Sequence, residues 1–183
     1  MSETISFVIR DGHYRDIAEC LLLDHTYETD YVWQMQINNE EGWRIDFKTE
    51  RLPRALTVTY PASEERLRAS LAPDQCFLVA TTRNNPEVIG YLVMRADPLY
   101  HIGQVQDVVV APSYRRQKLG TRLTKIAARW AREQQLTRLM IETQTKNLPG
   151  IRFCEATGFT FCGFNDRYFP NRDIAVFFSQ SVR

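Results

Sequence analysis

The chain of 183 residues contains 44% hydrophobic and 25% charged residues, a composition typical of a globular domain with a full core. Its 23 basic and 22 acidic side chains leave a formal net charge of +1, which excludes a strong overall field that would attract nucleic acid or an anionic membrane. It has no apolar run of about 18 residues, and residues 1–9 lack a basic flank before an apolar stretch. We therefore expect one soluble domain over residues 1–183, with no membrane or nucleic-acid partner.

Four cysteines lie far apart in the chain, and none has the Cys-x-x-Cys spacing of a zinc site. They are Cys20, Cys76, Cys154 and Cys162. Because they also form no dense disulfide framework, we expect free thiols in a reducing cytoplasm. The three histidines lack metal-ligand spacing as well, so the sequence predicts no metal site.

Strand and helix signals alternate along the first half of the chain. Residues 5–10 are predicted as a strand, and the helix that follows Asp11 carries Ile17, Leu21 and Leu22 on one face. Residues 43–52 and 55–60 are predicted as two strands that are interrupted at Pro53.

A short helix over residues 63–71 is predicted to begin at the capping residue Ser63. The apolar runs 76–82 and 88–95 are joined by the turn-forming residues Asn84, Asn85 and Pro86. This arrangement favours an antiparallel hairpin in the middle of a sheet. The whole pattern predicts an α+β, or mixed α/β, fold.

The second half begins with a valine-rich strand from residue 104, which Pro112 ends because proline has no amide to continue a ladder. A basic loop over residues 114–120 follows, and then an amphipathic helix. Residues 136–143 are predicted as a further strand, and Asn147 opens a helix that Gly158 ends.

The loop over residues 114–120 has the features of an anion site. A helix that begins just after a strand and a tight loop presents unpaired amides and the positive end of its dipole at one point. Arg115, Arg116 and Lys118 add positive charge there. Basic residues in such a cluster can also merely solvate a helix start, so the loop alone leaves both interpretations open.

Two motifs in this half resemble those of the GNAT N-acetyltransferase superfamily. The first is Q/R-x-x-G-x-G/A, supplied here from Arg115 to Gly120, and the second is N-x-x-A-x-x-x-Y-x-x-x-G-F, supplied from Asn147 to Phe159. Both occur in the expected order over about half of the chain, and such agreement is more informative than either motif alone.

The resemblance implies a central, mostly antiparallel and partly splayed sheet flanked by helices, with acetyl-CoA as cosubstrate. The cofactor-binding half of the domain would span about residues 104–163. Its strand 108–110 would pair with the pantetheine arm, its loop amides would hold the pyrophosphate, and Asn147 would contact the cofactor near the thioester. The implied cofactor-binding residues are Val108, Val109, Val110, Arg115, Arg116, Gln117, Lys118, Leu119, Gly120, Thr121, Asn147 and Cys154.

Two departures from the family patterns matter for the chemistry. Lys118 stands where the family has glycine, at a point of close backbone approach. Its amide remains, so we expect cofactor binding to survive. Cys154 stands where many members have a tyrosine that protonates the leaving thiolate. We favour a packing role for this thiol, and we expect water or Tyr168 to supply the proton.

The reaction needs a base because only a neutral amine can attack a thioester. Glu142 is the leading candidate and resembles a glutamate of the ribosomal-protein alanine acetyltransferases, although a structural carboxylate is equally expected. Asp107 is unusual in a valine-rich strand, and a buried carboxylate usually has a partner or a task. Orienting the amine, or accepting its proton through water, is the task we expect.

The acceptor site is less well specified than the cofactor site. Residues 23–33 combine carboxylates with aromatics, which suits a cation, although a solvated helix edge with core aromatics explains them equally well. This segment, residues 141–144 and Gly163-Phe164 resemble the streptothricin acetyltransferases. Residues 31–71 exceed what a minimal member needs, and either cover the acceptor site or form a homodimer contact.

The sequence therefore predicts an acetyl-CoA-dependent N-acetyltransferase for a polyamine-like or streptothricin-like amine, acting by direct attack in a ternary complex. Acetylation of a protein amino terminus is the alternative, favoured by Glu142 and by Tyr168-Phe169-Pro170. A module that binds acetyl-CoA without turnover is a second alternative. Nucleic-acid binding through the basic helix is the weakest, because the net charge is near zero.

Overall fold

A computed structural model describes residues 6–40, 42–84 and 86–182 of the chain. Its strands are β1 (Phe7–Asp11), β2 (Thr26–Asn38), β3 (Arg44–Thr59), β4 (Gln75–Thr82), β5 (Val88–Asp97), β6 (Ile102–Val110), β7 (Arg138–Gln144), β8 (Thr160–Asn165) and β9 (Ala175–Ser181). Its α-helices are α1 (Ile17–Leu22), α2 (Glu64–Ala69), α3 (Leu119–Glu133) and α4 (Leu148–Ala156). Short 3-10 turns lie at Tyr14–Asp16 and Pro112–Tyr114.

Seven of these strands form one sheet in the order β1-β4-β5-β6-β7-β9-β8, and β2 pairs with β3 in a separate antiparallel sheet. The pairs β1–β4, β4–β5 and β5–β6 are antiparallel, whereas β6–β7 is parallel. The β6–β7 register extends only from Ile102 and Arg138 to Val105 and Ile141. This confirms the predicted mixed fold with a mostly antiparallel, partly splayed sheet and the central β4–β5 hairpin.

Contacts divide the chain into two compact units. The first contains Met1–His25, Pro61–Ile141 and Ser179–Arg183, and the second contains Thr26–Tyr60 and Glu142–Phe178. The expectation of one acyltransferase domain over residues 1–183 stays a prediction.

The core of the first unit lies on both faces of β4 and β5. On one face, Tyr91 and Val93 of β5 are buried with Ile17 of α1 and Leu67 of α2. On the other face α3 contacts β4, β5 and β6, and its Leu119 approaches Gly90 so closely that a Cβ there would meet its side chain at 3.4 Å. Burial on both faces explains why β4 and β5 are almost continuously apolar.

The second unit is held by aromatic contacts. The ring of Trp33 in β2 lies 5.6 Å from Phe47 of β3 and 6.0 Å from Phe178 of β9. Phe161 of β8 lies 5.5 Å from Phe47. These separations suit aromatic pairs that strengthen a core beyond area burial.

Three local predictions need correction. β3 continues through Pro53. Thr29 of β2 pairs with Leu56, and Tyr31 pairs with Arg51, so the register skips residues 52–55. Pro53 therefore lies where the ladder needs no amide. Residues 26–33, for which a helix edge was one interpretation, belong to strand β2. Leu22 is 85% exposed because the six-residue α1 ends there, whereas Ile17 lies in the core and Leu21 and Leu23 pack against it.

The other predicted elements are confirmed, with small shifts of their ends. The side chain of Ser63 accepts a hydrogen bond from the Arg66 amide at 3.2 Å and so caps α2. Gly158 has a φ of +88° after α4, as a helix-ending glycine should. Of the predicted first strand, Ile5 lies outside the described residues, and so does Asn85 in the predicted hairpin turn.

Candidate active site

The basic loop between β6 and α3 belongs to the first unit and is shaped by its backbone. Arg116 and Lys118 both have left-handed backbone conformations, with φ values of +61° and +64°. The Gln117 side chain donates to the Ser113 carbonyl at 2.9 Å. A left-handed residue followed directly by a helical one points successive amides towards one point, which is the geometry of an anion-binding nest. Lys118 followed by α3 has this arrangement.

The start of α3 supplies further amides. The Arg122 amide donates to the Lys118 carbonyl at 3.0 Å and is the first turn-closing bond of the helix. The amides of Leu119, Gly120 and Thr121 come before it and have no acceptor within the helix. The loop therefore offers amides and a helix dipole to an anion. Lys118 adopts a left-handed conformation that glycine takes most easily. A lysine in place of the family glycine therefore costs backbone strain.

Strand β6 contains a bulge just before the predicted pantetheine segment. Val93 lies opposite Asp107 and Met94 opposite Val105, so Gln106 is an extra residue. Val108, Val109 and Val110 follow it and pair with β5, whereas the parallel register with β7 has already ended at Val105. A bulge re-aims a strand, and the edge of β6 beyond it is where an extended ligand would pair.

Asp107 lies directly after this bulge and is buried. Its Oδ1 accepts a hydrogen bond from Arg66 Nη1 at 2.7 Å, and the side chains are 3% and 29% exposed, respectively. Arg66 comes from α2, whose cap was predicted but whose link to β6 was not. The partner that a buried carboxylate requires is thus an arginine.

The second unit contains Glu142 and Tyr168. Glu142 lies on β7 with a half-buried side chain, and its Oε1 accepts a hydrogen bond from the Tyr168 hydroxyl at 3.1 Å. The Tyr168 ring is fixed by edge contacts with Phe169 and Phe177, each with centroids 5.2 Å apart. Two of the predicted catalytic residues, 26 positions apart in the sequence, are therefore in contact.

Asn147 is the N-cap of α4, in the same unit. Its Oδ1 accepts from the Gly150 amide at 2.9 Å, and its Nδ2 donates to Thr143 Oγ1 at 3.0 Å. A Cβ on Gly150 would lie only 2.6 Å from Asn147 Nδ2. Glycine at this position, where the family pattern has alanine, therefore leaves space for the cap. The contact that we predicted between Asn147 and the cofactor stays a prediction.

Cys154 lies on α4 and is 1% exposed. Burial raises the pKa of its thiol to about 12, because the thiolate is disfavoured away from water. The side chain therefore remains a neutral thiol near pH 7 and occupies a packed position, in agreement with the packing role we favoured.

Two further contacts in the second unit were not anticipated from the sequence. The Tyr27 hydroxyl of β2 donates to Gln144 Oε1 of β7 at 3.1 Å, and burial raises the pKa of Tyr27. Lys146 Nζ lies 2.5 Å from Asp173 Oδ2. Residues 23–33 and 141–144 were singled out as acceptor segments, but nothing in their spacing indicated that Tyr27 and Gln144 would meet.

Within residues 6–40, 42–84 and 86–182, no group of three or more His, Cys, Asp or Glu side chains is arranged to hold a metal ion. The helices in these ranges are all too short or too polar to cross a membrane.

Comparisons of the sequence identify related proteins. Streptothricin acetyltransferase of Streptomyces lavendulae is 36% identical over 61 residues, which are 33% of this chain and 32% of that protein. The match thus spans about a third of that relative's length. The family model for the acetyltransferase (GNAT) family matches residues 39–159.

Solved structures show the same fold over nearly the whole chain. A nourseothricin acetyltransferase superposes with a TM-score of 0.85 at 23% identity, covering 97% of this chain and 99% of that one. A Bacillus anthracis protein in complex with acetyl coenzyme A gives a TM-score of 0.81 at 23% identity, with the same coverage. The Escherichia coli ribosomal-protein-S18-alanine N-acetyltransferase gives 0.69 at 14% identity, covering 97% of this chain and 94% of that one.

The family match covers well over half of the chain and includes both motifs, from Arg115 to Gly120 and from Asn147 to Phe159. The structural similarity independently confirms the predicted fold. The chain therefore belongs to the acetyltransferase (GNAT) family.

Proposed function

We propose that this protein is an acetyl-CoA-dependent N-acetyltransferase that acts on a primary amine of a small cationic molecule, such as a streptothricin-like antibiotic or a polyamine. The observation that carries the proposal is the contact between Glu142 and Tyr168, because an acetyltransferase needs a group that removes a proton from its ammonium substrate. The relationship to a streptothricin acetyltransferase supports this acceptor class.

Acetyl-CoA would supply the activated acetyl group as a thioester. The Lys118 nest and the first amides of α3 suit its pyrophosphate, and the β6 edge after the Gln106 bulge suits its extended pantetheine arm. Backbone amides supply most of these contacts. We therefore propose that Lys118, in place of glycine, does not prevent binding.

Glu142 is the proposed general base. Its carboxylate would take a proton from the ammonium group, leaving a neutral amine that can attack. Tyr168 is the proposed donor of the proton that the leaving thiolate requires. Because its hydroxyl already donates to Glu142, it can recover a proton from the carboxyl group, which returns the pair to a carboxylate and a neutral phenol. The second proton that the nitrogen loses as the amide forms would pass to water.

Asp107 and Cys154 lie outside the proposed pair of base and proton donor. A role of Asp107 in orienting the amine stays a prediction, and its ion pair with Arg66 supports a structural role as the alternative. The burial of Cys154 and the raised pKa of its thiol support direct attack by the amine over an acetyl-cysteine intermediate, since the thiolate is the nucleophilic form.

The homodimer contact stays a prediction, and so does the cytoplasmic location, which four free thiols support.

Thiol release from acetyl-CoA tests the proposal, with a streptothricin, spermidine and peptides that have free amino termini as separate acceptors. Release with streptothricin or spermidine is the expected result. Release with peptides alone would identify a protein amino-terminal acetyltransferase. Calorimetric binding of acetyl-CoA without release on any acceptor would identify a binding module and contradict the proposal.

A further inference from the structure

The turn between α1 and β2, residues 23–25, is held at two points by side chains of the basic loop and of β5, which all belong to the first unit. Arg115 Nη2 donates to the Asp24 carbonyl at 3.3 Å. The His25 Nε2 atom lies 3.0 Å from the hydroxyl oxygen of Tyr91, and the two rings have centroids 6.0 Å apart. The turn is thus anchored to one residue of the basic loop and one residue of β5.

Both anchors converge on the last two residues of β6. Arg115 Nε donates to the Val110 carbonyl at 2.9 Å, so the guanidinium joins the end of β6 to the turn. Tyr91 is the β5 partner of Val109 in the antiparallel register and is 1% exposed. The buried Tyr91 ring and the Val110 carbonyl both belong to paired strands. The turn is therefore fixed to a rigid part of the sheet.

We propose that Arg115 is a positioning residue that fixes the α1–β2 turn to the end of β6, and not a charge that binds the cofactor pyrophosphate. The importance of this link rests on the proposed function. Val109 and Val110 are then part of the pantetheine site, and the turn leads directly into Thr26, the first residue of β2. Residues 23–33 combine the carboxylates and aromatics that suit a cationic acceptor. Loss of the Arg115 link would loosen the residues that lead into β2.

The chemistry of the side chain separates the two roles. A guanidinium carries several N–H donors in a rigid planar fork and can reach two carbonyls at once, whereas an ammonium is a single flexible point charge. Lysine would therefore replace Arg115 well as a pyrophosphate counter-charge and poorly as a bridge between Val110 and Asp24. Arg115→Lys is the informative variant, and Arg115→Ala removes both charge and bridge.

Hydrogen exchange measured by mass spectrometry on the full chain, without ligand, tests the bridge through a peptide covering residues 21–27. We expect roughly three- to tenfold faster exchange in both Arg115→Ala and Arg115→Lys, the factor that loss of one net hydrogen bond gives. Arg132→Ala is the matched control, because it removes the same side chain from the exposed last turn of α3. Its exchange should equal that of the unsubstituted chain.

Calorimetry with acetyl-CoA completes the test. Dissociation constants for both Arg115 variants should stay within about threefold of the unsubstituted value, while KM for the amine acceptor rises and KM for acetyl-CoA does not. Unchanged exchange in Arg115→Ala would overturn the proposal, and so would a tenfold loss of acetyl-CoA affinity that Arg115→Lys restores. If no amine is acetylated, the proposed function fails, and the exchange result still decides the role of Arg115.

Discussion

The two compact units differ in the part of the chain that provides their candidate functional groups. In the first unit, the anion site consists of backbone amides around Lys118 and at the start of α3. In the second unit, the candidate base and proton donor are the side chains of Glu142 and Tyr168. Substitutions in the first unit should therefore alter stability and shape more than chemistry, and substitutions at the second pair should alter turnover most.

Glu142→Gln gives the largest effect that this comparison predicts. Glutamine keeps the shape and an acceptor for the Tyr168 hydroxyl but cannot take a proton. Turnover at neutral pH should fall by about 100-fold or more, in the range that general-base catalysis contributes, with acetyl-CoA affinity unchanged. Steady-state kinetics and calorimetry measure the two quantities. Glu133→Gln, an exposed change on α3, should leave both unaltered, and a Glu142→Gln enzyme of normal turnover would refute the assignment.

Asp107→Ala should have its main effect on stability. The substitution leaves Arg66 without its buried carboxylate, and because Arg66 is 29% exposed we expect a loss of about 2 kcal/mol, below the usual range for a fully buried pair. Urea unfolding measures this loss. Asp107→Asn, which retains an acceptor, should lose less. A change below about 0.5 kcal/mol for Asp107→Ala would show that the ion pair does not support the strand.

Cys154→Ala should cost about 1 kcal/mol of stability through the small cavity it leaves, and turnover per folded enzyme should stay within about twofold. Cys162→Ala is the matched control, because that thiol is exposed and its loss should affect neither quantity. Thermal unfolding and initial rates measure the effects. A large fall in turnover for Cys154→Ala alone would bring the thiol back into the chemistry.

Lys118→Gly tests the backbone origin of the anion site and should have the smallest effect. Glycine relieves the left-handed strain at φ +64° but increases the entropy of the unfolded chain, so we expect a net gain of roughly 0.5 kcal/mol. Acetyl-CoA affinity should stay within about threefold, because the amide is kept. Lys118→Ala loses the charge but retains the strain and should give no gain. A tenfold loss of affinity in both variants would show that the lysine charge binds the cofactor.

The same difference between units explains what the sequence could predict. A backbone site requires a strand, a turn and a helix start in fixed order, and the run from Val105 through Gly120 shows that order directly. The β4–β5 hairpin and the Ser63 and Asn147 caps were predictable for the same reason, since local spacing determines them, whereas the partly splayed sheet was implied by the family resemblance. The family motifs then identified the cofactor class.

Side-chain contacts between distant segments left no such signal. Glu142 and Tyr168 were each chosen separately, and no spacing indicated their hydrogen bond. Arg66 reaches Asp107 across 41 positions of sequence, and Tyr27 reaches Gln144 across 117. Pro53 led to a wrong prediction, because a proline normally interrupts a strand. Only the register of β2 with β3 shows that the ladder needs no amide at this position.

The pH dependence of the Glu142→Gln enzyme tests the central claim, acetyl transfer to an amine with Glu142 as base, most directly. A primary alkylamine has a pKa of about 10.4, so at neutral pH nearly all acceptor is protonated and needs a base, whereas near pH 10 much of it is already neutral. Turnover of the variant relative to the unsubstituted enzyme, on the same acceptor, should therefore rise by about tenfold or more between pH 7 and pH 10. A ratio that stays constant across this range, or that equals one throughout, would contradict the account.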